Sequence, residues 1–148
     1  LTGGANRAAY DRDLQGYLEG KHFRMVLLDM NHLKKINDEH GHASGDEAIV
    51  TVYQTIEKAF SPHGQCYRLG GDEFVVLLKS TKASLYEEAL TSIRTTLAEI
   101  STKRPYTLEV AAGSEVYEEH LWREFKSFYH EVDQKMYQHK TTLKNVRA

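Results

Sequence analysis

Two apolar rhythms run through the 148-residue chain. The runs Met25-Val26-Leu27-Leu28 (after Phe23) and Phe74-Val75-Val76-Leu77-Leu78 have strand length and no polar alternates. They predict strands buried on both faces. Elsewhere apolar residues recur every three or four positions. Ala48, Ile49, Val52, Tyr53, Ile56, Ala59 and Phe60 predict one face of a helix starting near Asp46. Leu85, Ala89, Ile93, Leu97 and Ile100 predict a second helix, with Ser84 as its N-cap. Leu121, Phe125, Phe128, Val132 and Met136 predict a third, from about Glu119 to His139, followed by a cationic tail over 140–144. Asn6 caps a first helix from about Arg7 to Glu19, ended by Gly20, and Leu33 with Ile36 marks a short helix after Asp29. Gly41 and Gly45 mark a loop, and Tyr106, Leu108, Val110 and Ala112 alternate as a strand ending at Gly113-Ser114.

The resulting order, α-β-α-α-β-β-α-β-α, implies a mixed sheet with helices packed on it, an α/β or α+β sandwich. Its centre is the hairpin Tyr67–Leu78, with Gly70-Gly71-Asp72-Glu73 at the tip. The glycines permit positive φ and leave the backbone open to a ligand. Gly-Gly-Asp is also an ordinary turn sequence, so a second carboxylate at the same place is what distinguishes the readings. Asp29, at the end of the other apolar strand, supplies one if the two strands are neighbours. Clustered carboxylates repel unless a cation lies between them, and oxygen ligands without Cys or His select Mg²⁺ or Mn²⁺. Such sites complete their coordination with substrate phosphates, which points to nucleotidyl or phosphoryl transfer. Backbone amides after Asp29, at the start of the short helix, offer an anion site. Lys34, Lys140 and Lys144 offer compensating charge, against the alternative of plain solvated lysines.

Composition narrows the picture. A formal net charge of -2 argues against a general nucleic-acid or anionic-membrane binder. The single cysteine, Cys66, excludes an internal disulfide framework and fits a reducing, cytoplasmic compartment. No apolar run approaches the roughly 18 residues that span a bilayer, and no signal peptide is read. Among eight histidines, His40 and His42 form the nearest approach to a zinc pair, without convincing ligand context. The length suits one domain over residues 1–148.

Gly70-Gly71-Asp72-Glu73-Phe74 spells the signature of the GGDEF family, the diguanylate cyclases, and the resemblance covers the chain in order. Leu1-Thr2-Gly3 with Asn6-Arg7 resembles the family's opening motif. Leu28-Asp29 through Lys34-Lys35-Ile36-Asn37-Asp38 resembles its metal and nucleotide segment. Gly41-His42 with Gly45-Asp46 resembles the continuation, and Asp133 through Tyr137 to Lys140 the closing helix.

The resemblance implies a mixed central sheet of about five strands, similar to nucleotide cyclases and polymerase palms, and condensation of two GTP into cyclic di-GMP with release of two pyrophosphates. It implies metal ligation by Asp29, Asp72 and the carbonyl of Met30, with Glu73 as a second acid needed for activity. Asn37 and Asp46 match the pair that reads guanine; a carboxylate accepts from both N1–H and the exocyclic amine, donors that adenine does not present together. The other reading of Asp46 is a helix cap. Lys34 and Lys140 match phosphate contacts. Two such domains must face each other, as a transient or linker-driven homodimer, and a sensory domain usually precedes them in a longer, sometimes membrane-anchored parent. An inactive GTP-binding or interaction module is the alternative function.

Several positions depart from the family. Gly4 and Ala5 replace larger residues and are expected to loosen the opening segment. Asn31 stands where an aspartate is common, and Lys144 where arginine is usual, replacing a bidentate grip by a point charge. Ser61 and Gly64 occupy the places of the Arg-x-x-Asp product-inhibition site.

Overall fold

The computed structural model describes residues 3–147, so Leu1 and Thr2 of the opening motif lie outside the described residues. Strand β2 (His22–Met30) is central, because its side chains are buried on both faces from Phe23 onwards. It lies between β4 (Glu73–Leu78) and β5 (Val110–Glu118), antiparallel to both. Hairpin partner β3 (Gly64–Gly70) and the two-residue β1 (Ala5–Asn6) complete the order β1-β3-β4-β2-β5, with β1 parallel to β3. The sheet is therefore mixed, and with five α-helices among the described residues the fold is α+β, as expected.

Alternation along β2 and β4 divides the core in two. Val26, Leu28, Met30, Phe74, Val76 and Leu78 face α2 (Leu33–His40), α3 (His42–Phe60) and α4 (Ala83–Ser101) in a largely aliphatic layer. Phe23, Met25, Leu27, Val75 and Leu77 face α1 (Arg7–Gly20) and α5 (Phe125–Arg147) in an aromatic one. There Phe23 stacks on Tyr117 at 5.2 Å and meets Phe128 edge-on at 6.0 Å. Fully burying such a ring contributes about 2–3 kcal/mol.

Asn6 caps α1 as the sequence predicts, its Oδ1 accepting from the Ala9 N–H at 3.1 Å. Other boundaries differ. Helix α3 starts at His42, four residues early, with Gly41 (φ 89) as N-cap and Gly45 buried inside it. Asp46 thus lies past the first turn and is not a cap. Lys82, not Ser84, precedes α4, without a side-chain cap. The predicted strand at Tyr106–Ala112 begins only at Val110; Leu108 is buried, but its N–H bonds to the Ser101 hydroxyl at 2.9 Å, so the alternation reflects burial rather than pairing. Gly113 and Ser114 lie inside β5, which pairs with β2 along its whole length. A Cβ at Gly113 would collide with the backbone of Val132 and Met136, so this glycine seats α5 on the sheet rather than ending the strand. The last helix starts at Phe125, after a 3-10 turn at Glu119–Leu121 and an extended Trp122 that packs on Phe128 at 5.4 Å. Leu121, expected in the core, is 63% exposed. Residues 140–144 are helix, not tail.

Gly4 and Ala5 do not loosen the opening segment. The ring of Tyr53 occupies the space that a side chain at Gly4 would take, and its hydroxyl accepts from the Ala5 N–H at 3.3 Å.

Candidate active site

The end of β2 and the hairpin tip meet. Asp29 pairs across the sheet with Glu73, and the Met30 N–H donates to the Asp72 carbonyl at 2.8 Å, fastening the turn to the central strand. Gly71 has φ +28, where an L side chain is strained. Gly70 has nothing within 4 Å of a would-be Cβ, so packing does not demand the missing side chain and the backbone lies open. Arg68, which sequence reasoning passed over, holds the turn closed. Its Nε and Nη2 donate to the Gly71 carbonyl at 3.2 and 2.9 Å.

Asp29 is 8% exposed. Burial raises its pKa, the Lys140 ammonium opposes that shift by donating to Oδ2 at 2.9 Å, and the charge of nearby Asp72 raises it again. Its buried Oδ1 has no hydrogen-bond partner. Partial burial also raises the pKa of Glu73, with Asp29, Asp72 and Asp133 adding negative charge. Among the described residues no group of three or more His, Cys, Asp or Glu forms a ready metal cluster. The expected ligand set is two carboxylates and a backbone carbonyl. An orphaned buried carboxylate oxygen beside a second carboxylate fits a hard divalent cation.

The cations divide. Lys140 is half-buried against Asp29, and that contact raises its pKa. Lys144 is exposed one turn further along α5, and Lys34 is exposed on α2 and paired with Asp38 at 3.0 Å. Neither Lys34 nor Lys144 is drawn into the carboxylate cluster. The amides expected to bind anions are partly committed, since Met30 N–H serves Asp72 and Asn31 N–H donates to the Glu109 carbonyl at 2.8 Å. Asn31, buried, also donates through Nδ2 to Glu109 Oε1 at 2.8 Å. Glu109 is a brace that the sequence does not signal, because its strand begins one residue later.

On the other side of the sheet, α2 and α3 set Asn37 against Gly45, the residue before Asp46. Gly45 is buried because the Asn37 amide occupies the place of its Cβ, and Asp46, the next residue, is exposed. At the place of the inhibitory carboxylate, Gly64 lies against the Leu77 carbonyl, 2.5 Å from a would-be Cβ, so that backbone leaves no room for an acidic side chain.

The family model described as diguanylate cyclase, GGDEF domain, matches residues 1–146. Diguanylate cyclase DgcP of Pseudomonas aeruginosa is 33% identical over 103 residues, 66% of this chain and 15% of the relative. Diguanylate cyclase DgcS of Shewanella oneidensis is 28% identical over 152 residues, covering 98% of this chain and 50% of its own length. The chain therefore spans half or less of these curated relatives. Among solved structures, the coiled coil and GGDEF domain of DgcB from Caulobacter crescentus, in complex with c-di-GMP, is similar with a TM-score of 0.82 at 26% identity, over 95% of this chain and 78% of that one.

Proposed function

The chain belongs to the GGDEF family, and from that premise we propose that it is a diguanylate cyclase domain, joining two GTP into cyclic di-GMP and two pyrophosphates. The observation that carries this reading is Asp29: a buried carboxylate with one orphaned oxygen, set beside Asp72 and countered by Lys140. A buried carboxylate so crowded is costly to keep unless charge is to be bound there. Asp29, Asp72 and the Met30 carbonyl would hold Mg²⁺ or Mn²⁺, which when bound neutralises triphosphate charge and orients it.

The chain's own groups supply the rest. Lys140 delivers positive charge to the same place; Lys144 is exposed, and Lys34 can exchange its exposed pairing with Asp38 for a phosphate at the rim. The open backbone at Gly70 lets a phosphate approach the turn. Glu73, with its raised pKa, is suited to accept the proton of a ribose 3′-hydroxyl as that oxygen bonds to the α-phosphate of the other GTP and pyrophosphate leaves. Asp46 accepts from guanine N1–H and the exocyclic amine, and Asn37, fixed over Gly45, completes the base contact. One domain holds one GTP, so a second copy must face it, brought there by a segment or sensory domain of a longer parent. Ser61 and Gly64 leave no Arg-x-x-Asp site for product inhibition.

Incubating the purified chain with GTP and Mg²⁺ tests the reading. Cyclic di-GMP should form at a rate rising with the square of protein concentration. Tight GTP binding without product would make the domain a nucleotide-binding regulatory module instead.

A further inference from the structure

Lys140 has a fixed base and a movable tip. Gly113 lets the backbone of α5 close onto β5, and His139, the preceding residue, accepts the Ala112 N–H through Nδ1 at 2.8 Å. The backbone of Lys140 is thereby held beside the end of β2. Its side chain is 42% exposed and reaches Asp29 with Nζ donating to Oδ2 at 2.9 Å. An ammonium carries three donors on a flexible four-carbon stem, so this contact leaves donors for another acceptor. Asp29 is less well served. Its buried Oδ1 has no hydrogen-bond partner, and Asp72 adds a second negative charge beside it. One ammonium on Oδ2 balances one of these charges. A divalent cation on the same two carboxylates balances both, but there it and the ammonium repel each other.

We propose that Lys140 is an exchangeable counter-ion: it holds Asp29 through Oδ2, yields that contact to a divalent cation, and turns to the triphosphate. The inference rests on the reading of Asp29, Asp72 and the Met30 carbonyl as ligands of that cation, and adds that metal and nucleotide support each other's binding. Lys140 opposes the cation when it comes alone. It ceases to oppose it once phosphate oxygens offer the ammonium another partner. A lysine that only gripped phosphates would leave the affinity for the cation alone untouched when removed. One that only braced Asp29 would, when removed, weaken both ligands.

Lys140→Met removes the donor and keeps an apolar stem. In calorimetric titration of the whole chain, this variant should bind Mn²⁺ alone about tenfold more tightly, and the α,β-methylene analogue of GTP with Mn²⁺ about tenfold more weakly. Lys144→Met removes the same charge from an exposed position one turn further along and should change Mn²⁺ affinity by less than about threefold. Asp72→Ala should weaken Mn²⁺ about tenfold or more, which reports on the metal site separately from the exchange. In the unaltered chain, Mg²⁺ alone should raise the rate at which acetic anhydride modifies Lys140 about threefold, because the ammonium is released from Asp29. Unchanged or weaker Mn²⁺ binding in Lys140→Met, an equal gain in Lys144→Met, or labelling of Lys140 indifferent to Mg²⁺ would each overturn the exchange and leave the metal site standing. Mn²⁺ binding untouched by Asp72→Ala would overturn the metal site and the exchange with it.

Discussion

Asp29 and Asp46 are both carboxylates of the candidate site, yet they are held in opposite ways. Asp29 is buried on the central strand, hemmed between β4 and β5, with its pKa raised and one oxygen orphaned. Asp46 is exposed on the second turn of α3, beside the Asn37–Gly45 packing. The carboxylate half is electrostatically tense and rigid, as bond-making chemistry requires, because charges held at fixed positions need no reorganisation when the reaction charge develops. The half proposed to read the base is exposed and costs the fold almost nothing, so under the proposed function it is free to vary with the nucleotide selected.

The largest test strikes the tense half. Asp72→Ala should lower cyclic di-GMP formation about a thousandfold or more, since several kcal/mol of charge stabilisation is lost. It should leave stability equal or slightly higher, because it removes a repulsion at Asp29. A rate within tenfold of wild type would show that the hairpin tip is not the reacting centre.

The next concerns the seat of that half. Gly113→Ala drives a methyl group into the backbone of α5, the helix that brings Lys140 to Asp29, and should cost about 3 kcal/mol in urea unfolding. Gly70→Ala meets nothing within 4 Å and should change stability by no more than about 0.5 kcal/mol, while impairing turnover if phosphate approaches that backbone. Equal stability losses in the two variants would erase the distinction between a packing glycine and a ligand-facing one.

These two glycines also show what the sequence could and could not say. The hairpin, the buried strands and the convergence of Asp29 with Asp72 were legible, because a continuous apolar run closed by a carboxylate has few other readings. Along the chain, Gly45 and Gly113 read as punctuation. A glycine in a turn and a glycine that lets Asn37 or α5 approach look alike along the chain, since the partner lies eight residues away in one case and about twenty in the other. The true start of β5 was equally hidden, because Leu108 is buried like a strand residue while its N–H is spent on Ser101. Glu109 and Arg68 acquire their roles only from partners that folding brings to them.

A smaller effect is expected at the exposed half. Asp46→Asn removes no helix cap, because α3 begins at His42, so any consequence must come from the ligand. The amide offers one oxygen and a donor in place of two adjacent acceptor oxygens, so it cannot match both guanine donors, and the preference for GTP over ATP in competition should fall about tenfold, with stability within about 0.5 kcal/mol of wild type. An unchanged preference would leave Asp46 a solvated surface residue and dissolve the base-reading half.

The subtlest test separates the halves by pH. His139 docks α5 on β5 one residue before Lys140, and burial lowers its pKa below the ordinary value near 6.5. A group whose folded pKa is depressed binds fewer protons in the native state than in the unfolded chain, so stability rises with pH across that window. His139 therefore contributes fully above about pH 6.5, and its contribution is lost as pH falls through the lowered folded value. His139→Asn can keep an acceptor for the Ala112 N–H but does not titrate. On lowering the pH from about 7.5 to about 5.5, wild type should lose unfolding free energy relative to this variant. Other groups titrate alike in both proteins and cancel in the difference. The weakened docking should loosen the Lys140–Asp29 contact and reduce turnover, whereas the ratio of GTP to ATP binding, set on α2 and α3, should hold constant over the same range. A stability difference that does not change with pH would mean that His139 is not a titrating clasp. A selectivity that drifts in step with turnover would mean that the two halves are one coupled unit after all.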